Sequence, residues 1–142
     1  MYKHLLVTVA YDTAHDADES LVIAKALAAP GARISLMHVM EPAPVFALNY
    51  LPEGWNEELR ASIETDLTEL AAGFENAQAV VAEGNTAQEI LDFANLQSVD
   101  CIVIASHRPG TQNLLLGSTA SKVVARAQCA VHVARRASLR AE

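Results

Sequence analysis

The chain has 142 residues, of which 51% are hydrophobic, enough for a single domain with a well-buried core and against disorder, collagen or a multidomain machine. Ten Lys and Arg against 17 Asp and Glu give a net charge of −7, which argues against a general affinity for nucleic acid or anionic membrane, both of which are bound through excess basic charge. The charge is unevenly spread: residues 1–100 hold 4 basic and 16 acidic side chains, whereas residues 101–142 hold 6 basic and 1 acidic.

The opening MYKHLLVTVAYD carries an apolar run too short for a signal sequence, and no stretch approaches the ~18–20 apolar residues of a membrane span. The expectation is a cytoplasmic protein without direct membrane insertion. Residues 5–10 are nearly continuous in apolar character, as a strand buried on both faces must be. Residues 18–29 follow as a helix, with Leu21, Ala24, Lys25 and Ala28 on one stripe, Ile23 and Leu27 beside it, and Pro30-Gly31 as the stop. Residues 34–40 predict a second strand. The segment 41–55 holds Pro42, Pro44, Pro52 and Gly54 among Phe46, Tyr50 and Trp55; prolines keep it out of regular structure, and it reads either as a surface loop tucked onto the core or as a flap or partner contact.

In residues 56–74 the set Leu59, Ile63, Leu67, Leu70 and Phe74 recurs at spacings of three and four, an amphipathic helix. Residues 77–82 form a more polar strand suited to a sheet edge. Thr86-Ala87-Gln88-Glu89 has the form of a capping box, with Ile90, Leu91 and Ala94 as the buried stripe behind it. Cys101–Ala105 is the second fully apolar strand; a helix from Gly117-Ser118 to about residue 128 buries Ala120, Val123, Val124 and Ala127; and Ala130–Ala134 closes the chain as a fifth strand. The order βαβαβαβαβ is that of a parallel sheet wrapped by helices. Cys101 and Cys129 both lie in apolar runs, and in a reducing compartment they read as two buried free thiols. No clustered His and Cys suggests a zinc site.

In an open α/β sheet a ligand binds beyond the carboxyl ends of the strands, where the strand order reverses and adjacent loops diverge. The two most apolar strands are the natural central pair, so the crevice is framed by residues 10–16 and 106–118. The second of these loops suits an anion. Gly110 can take a positive φ and Gly117 admits close backbone approach. Gly117-Ser118-Thr119 opens a helix, whose free N–H groups attract phosphate. Arg108 adds a planar donor fork, and His107 a further donor.

The stretch VIASHR at 103–108, followed by LLLGSTASKVV at 114–124, resembles the ATP-binding segment of the universal stress protein family, with its closest likeness to the small single-domain F/G type. YKHLLVTVA, LMHV, AEGNTAQEIL, VDCIVIASHRPG and AQCAVHVARR extend the likeness over about 130 residues, in order. The resemblance implies a doubly wound α/β fold: a five-stranded parallel sheet of order 3-2-1-4-5 with helices on both faces, Rossmann-like and of the adenine nucleotide alpha hydrolase-like kind. It implies one domain over residues 1–136 and a short polar tail at 137–142. It also implies binding of ATP, or of AMP or ADP, with Mg²⁺ able to accompany the nucleotide, and a regulatory role in stress response exerted through the bound state. Val39 would line the adenine pocket, Ile104 and Ala105 the nucleoside floor, and Gly117, Ser118, Thr119 and Ala120 the phosphates; Thr8, Ala10, Ser106, His107, Arg108 and Gly110 complete the expected nucleotide site. A homodimer through Ala130–Ala134 is implied as well.

Two departures stand out. Ala105 and Arg108 occupy the first two glycine positions of the family's nucleotide motif, and eight residues rather than nine precede Gly117-Ser118. Where the family's first strand reads Val-Pro-Val-Asp, residues 7–10 read Val-Thr-Val-Ala; the carboxylate is missing, and Asp12 fits either a ribose contact or a plain turn. No catalytic set is evident, because adjacent Ser106 and His107 point to opposite faces of an extended chain; catalysis is expected to amount at most to slow ATP hydrolysis or autophosphorylation on Ser118 or a neighbouring hydroxyl. His4, His38 and His132 read as core or edge histidines. The other reading is a nucleotide-independent module that docks to a protein partner such as a transporter subunit.

Overall fold

The structure, a computed structural model, describes residues 1–10, 14–105 and 116–135, with the backbone alone for 14–18. The two most apolar runs of the sequence lie at the middle of its sheet. Strand β1 (Tyr2–Thr8) buries everything from His4 to Val7, and β4 (Cys101–Ala105) everything from Cys101 to Ile104. They pair in parallel, Leu5 opposite Cys101 and Val7 opposite Val103. Outward from β1 lie β2 (Ala28–Met40) and β3 (Ala77–Glu83), and outward from β4 lies β5 (Ala130–Ala134), giving the expected order 3-2-1-4-5, all parallel.

Parallel neighbours require crossover helices, and the handedness of those crossovers puts helices on opposite faces once the winding direction reverses. Helices α1 (Ala14–Leu27) and α2 (Trp55–Ala71) cover one face, meeting Leu5, Val7, Val9, Leu36, Cys101 and Val103 through Ala24, Ile63, Leu67 and Ala71. Helices α3 (Thr86–Leu96) and α4 (Ser118–Arg126) cover the other, meeting Leu6, Met37, Val39, Ile102 and Ile104 through Ala87, Ile90, Leu91, Ala94, Ala120 and Val123. Consecutive strand residues thus feed two separate cores, which is why β1 and β4 have no polar face.

Several boundaries differ from the sequence reading. The first helix ends at Leu27, and Pro30-Gly31 falls inside β2 rather than stopping the helix. Between the pairs Tyr2–Ala28 and His4–Arg33, β2 carries three residues more than β1. Proline, which offers no N–H to a ladder, and Gly31 at φ 76° suit this irregularity. The cap of α3 is Asn85, whose side chain accepts from the Gln88 N–H at 3.0 Å; Thr86 is the first helical residue and gives its hydroxyl to Glu41 at 3.1 Å. On α4, Ala120 and Val123 are buried but Val124 is exposed, and the helix stops at Arg126. Leu59 of α2 is also exposed, and Ala71 takes the buried place.

The segment 41–55 is not devoid of regular structure: Val45–Tyr50 forms a 3₁₀ turn, and α2 begins at Trp55. Val45, Phe46 and Tyr50 are not tucked in, being 82%, 78% and 86% exposed, whereas Leu51 and Trp55 are half-buried. Both cysteines are free; Cys101 is buried and Cys129 half-buried. Among the described residues no helix is long and apolar enough to cross a membrane.

Candidate functional site

The crevice opens where the two central strands part. Pairing of β1 with β4 ends at Val7 and Val103, whereas β1 stays with β2 as far as Thr8 opposite Met37, and β4 with β5 as far as Ala105 opposite Ala134. Thr8, Val9 and Ala10 therefore stand on one side of a gap, and Ile104 and Ala105 on the other. This is the switch point at which loops from opposite faces of a doubly wound sheet diverge.

One edge of the gap is chemically unusual. In a parallel ladder alternate residues of a strand bond to alternate neighbours. The bond from Val9 N–H to Met37 C=O, 2.8 Å, and that from Gly84 N–H to Met40 C=O, 2.9 Å, fix the phase: Met37 and Val39 address β1, and His38 and Met40 address β3. The next ladder bond toward β1 would join Val39 N–H to Val9 C=O. It is absent among the described residues. The Val9 carbonyl instead accepts from the His38 ring Nδ1 at 2.7 Å, and because a carbonyl only accepts, that nitrogen carries the proton. The Val39 N–H is left without its ladder partner among the described residues, on a residue only 7% exposed, and the C=O beside it faces residue 11, which lies outside them.

On the far side of the gap, α4 begins at the same end of the sheet, since β4 runs parallel to β1 and α4 must return to the start of β5. Its N-cap is Gly117, with extended φ and ψ of −65° and 166°, and a glycine has no side chain to occupy the first-turn amides. Ser118 is exposed, Thr119 half-buried and Ala120 buried, and there is no acidic residue in the first turn. The arrangement offers N–H donors and the positive end of a helix dipole to an anion.

A cavity of about 380 Å³ lies on the α2 side of the β1 end, lined by Val9, Ala10, His38, Ile63, Leu67 and Leu70, with Asp66 and Glu69 on its rim. Sequence reasoning placed Ala10 here but missed His38 and the α2 residues. The signal was present: a histidine within an otherwise apolar strand is a polar group that needs a partner at the strand's carboxyl end. Of the residues predicted for a nucleotide site, Thr8, Ala10, Val39, Ile104, Ala105, Gly117, Ser118, Thr119 and Ala120 all lie at the carboxyl end of the sheet. Asp12, Ser106, His107, Arg108 and Gly110 lie outside the described residues. Among the described residues, no three His, Cys, Asp or Glu side chains come together as a metal-ligand set.

The family model of the universal stress protein family matches residues 1–135. A universal stress protein of Thermus aquaticus, from the QAH/OAS sulfhydrylase 3′ region, is 35% identical over 143 residues, covering 95% of this chain and all of that one. Among solved structures, the universal stress protein UspA from Lactobacillus plantarum superposes with a TM-score of 0.75 at 23% identity, over 94% of this chain and 98% of that one. A universal stress protein family protein from Arabidopsis thaliana, solved with AMP bound, superposes with a TM-score of 0.60 at 15% identity, over 94% of this chain and 92% of that one. With the family model spanning nearly the whole sequence and a relative matched end to end, this chain belongs to the universal stress protein family.

Proposed function

We propose that this chain binds an adenine nucleotide, ATP or its di- and monophosphates, across the gap between β1 and β4, and that the bound state is what it signals with in a stress response. The observation that carries the reading is the Val39 peptide edge. A buried N–H without its ladder partner costs free energy unless something pairs with it, and the Val39 C=O beside it is an acceptor on the same edge. Adenine offers the complement, an acceptor at N1 beside a donor at N6. The glycine-capped start of α4 lies across the gap and suits the phosphates, and Arg108 adds charge to them. The similar Arabidopsis structure holds AMP. Mg²⁺ would come with the triphosphate, and a second copy would pair along the outer edge of β5.

Comparing ATP with adenosine tests the phosphate half of this reading. Arg108→Ala should weaken ATP by about 1.5–3 kcal/mol, the usual worth of a charge-assisted bond, and leave adenosine nearly unchanged. Gly117→Val should obstruct the phosphates while the protein stays folded. Equal losses for both ligands, or unchanged ATP binding in the Gly117 variant, would contradict the placement.

A further inference from the structure

We infer that His38 is a positioning residue of the candidate site: by donating its Nδ1–H to the Val9 carbonyl it diverts the last described acceptor beyond β1 and keeps the Val39 N–H open to a ligand's base. The inference rests on the nucleotide reading, but its structural half stands by itself. A parallel ladder continued by one residue would close the Val39 N–H onto the Val9 C=O and end the strand in a paired state. The side chain of the intervening residue makes that bond instead, at 2.7 Å. His38 belongs to the set of β2 residues whose own backbone addresses β3, so its backbone is committed on the opposite edge while its ring reaches back to β1. The ring is half-buried and lines the cavity beside the β1 end, with the apolar side chains of Ile63, Leu67 and Leu70 around the same space.

The consequence is selectivity. An N–H beside a C=O matches N1 and N6 of adenine and opposes N1–H and O6 of hypoxanthine, where donor would meet donor and acceptor would meet acceptor. A site whose buried polar groups are set for one edge rejects the other, because the mismatched groups stay unpaired. If the Val9 carbonyl were released, it would take the Val39 N–H and the site would lose its donor without losing its apolar walls.

The test uses the full chain, with His38→Phe and His38→Gln removing the donor at the Nδ1 position and His38→Asn keeping one there. Amide hydrogen exchange at Val39 is measured in the ligand-free proteins, and AMP and IMP binding by calorimetry. In the wild-type chain the Val39 amide should exchange quickly for a buried strand residue, and AMP should bind about tenfold or more tighter than IMP, the cost of a mismatched buried edge. In the Phe and Gln variants the Val39 amide should become protected, and AMP affinity should fall about tenfold, to the level of IMP, whose own affinity stays within about twofold. The Asn variant should restore both the fast exchange and the preference for AMP. A merely structural role would lower AMP and IMP together or change neither, and either result overturns the inference, as does Val39 exchange that is the same in all four proteins. If the wild-type chain binds neither nucleotide, the proposed function fails, and the exchange comparison still decides whether His38 controls the Val39 edge.

Discussion

The Nε2 atom of His4 and the hydroxyl of Ser35 meet at 2.8 Å, with both residues buried, and join β1 to β2 through side chains at the amino end of the sheet. The other ring nitrogen lies 3.1 Å from the Gln97 carbonyl, which can only accept. Nδ1 therefore carries the proton, Nε2 accepts from Ser35, and Ser35 in turn accepts from the Gln78 amide at 3.1 Å. The neutral ring satisfies every partner in this chain of bonds. Burial lowers its pKa below 6.5, and the nearby Arg33 pushes the same way, against the Gln97 carbonyl and Asp100.

A histidine whose pKa is depressed in the folded state makes the unfolded chain bind more protons, so stability rises with pH through that window. The contribution is complete above about 6.5 and is lost as the pH falls below it, toward the lowered folded value. Urea midpoints taken between pH 7.5 and 5 should decline, and His4→Leu should abolish that slope while costing about 1–3 kcal/mol at pH 7.5 through the partners it strands. A slope that survives in the variant would place the titrating group elsewhere.

Asp100 clasps the same corner. Burial alone would raise its pKa, but the backbone N–H groups of Lys3 and His4, donating at 2.9 and 3.0 Å, more than offset that and hold it low. Its contribution is present above pH 3.8 and lost below. Asp100→Ala should cost about 1 kcal/mol at neutral pH, discounted because the carboxylate is partly exposed. No change in the urea midpoint at neutral pH would show the clasp to be idle.

The start of α3 separates two residues that look equally capable of capping it. Asn85→Ala removes the acceptor of the Gln88 N–H and should cost about 1 kcal/mol. Thr86→Ala removes only an exposed bond to Glu41 and should cost less than about 0.5 kcal/mol. The reverse ranking in thermal or chemical denaturation would restore Thr86 as the cap.

The two thiols should differ in reactivity without forming a disulfide. Cys101 packs with the core under α1 and α2, and Cys129 packs against the core under α3 and α4, so they point to opposite faces of the sheet. Burial pushes the Cys101 thiol up to about 11, with Cys129 and Asp100 adding to the effect, and burial raises Cys129 as well. At pH 7.5 a thiol reagent should modify Cys129 slowly and Cys101 only on unfolding. Fast modification of Cys101 in the native protein would contradict this packing.

Legibility in the sequence followed the physics of each element. Strand β4 could be bounded to the residue because an abrupt change from polar to apolar marks a strand buried between helices, edge strand β5 because Arg135 ends its short apolar run, and the continuous apolar runs named the central pair and hence the crevice. The beginning of β2 could not, because Ala28–Ala29–Pro30–Gly31 reads as a helix end and only the pairing with Tyr2 draws it into the sheet. Val124 and Leu59 sit on helical stripes that periodicity assigns to the core, but at positions the neighbouring elements do not reach. Strand order and resemblance assigned Thr8, Val39, Ile104 and Gly117 to the expected nucleotide site, and the structure has all four at the carboxyl end of the sheet. The Val39 edge and the bond that keeps it open depend on which of two acceptors a carbonyl meets, and no one-dimensional pattern carries that choice.

Calorimetric titration of the purified chain with ATP, ADP and AMP at up to millimolar ligand tests the central claim most directly. The account predicts saturable heat with one site per chain for the adenine nucleotides. No heat with any of the three would contradict it.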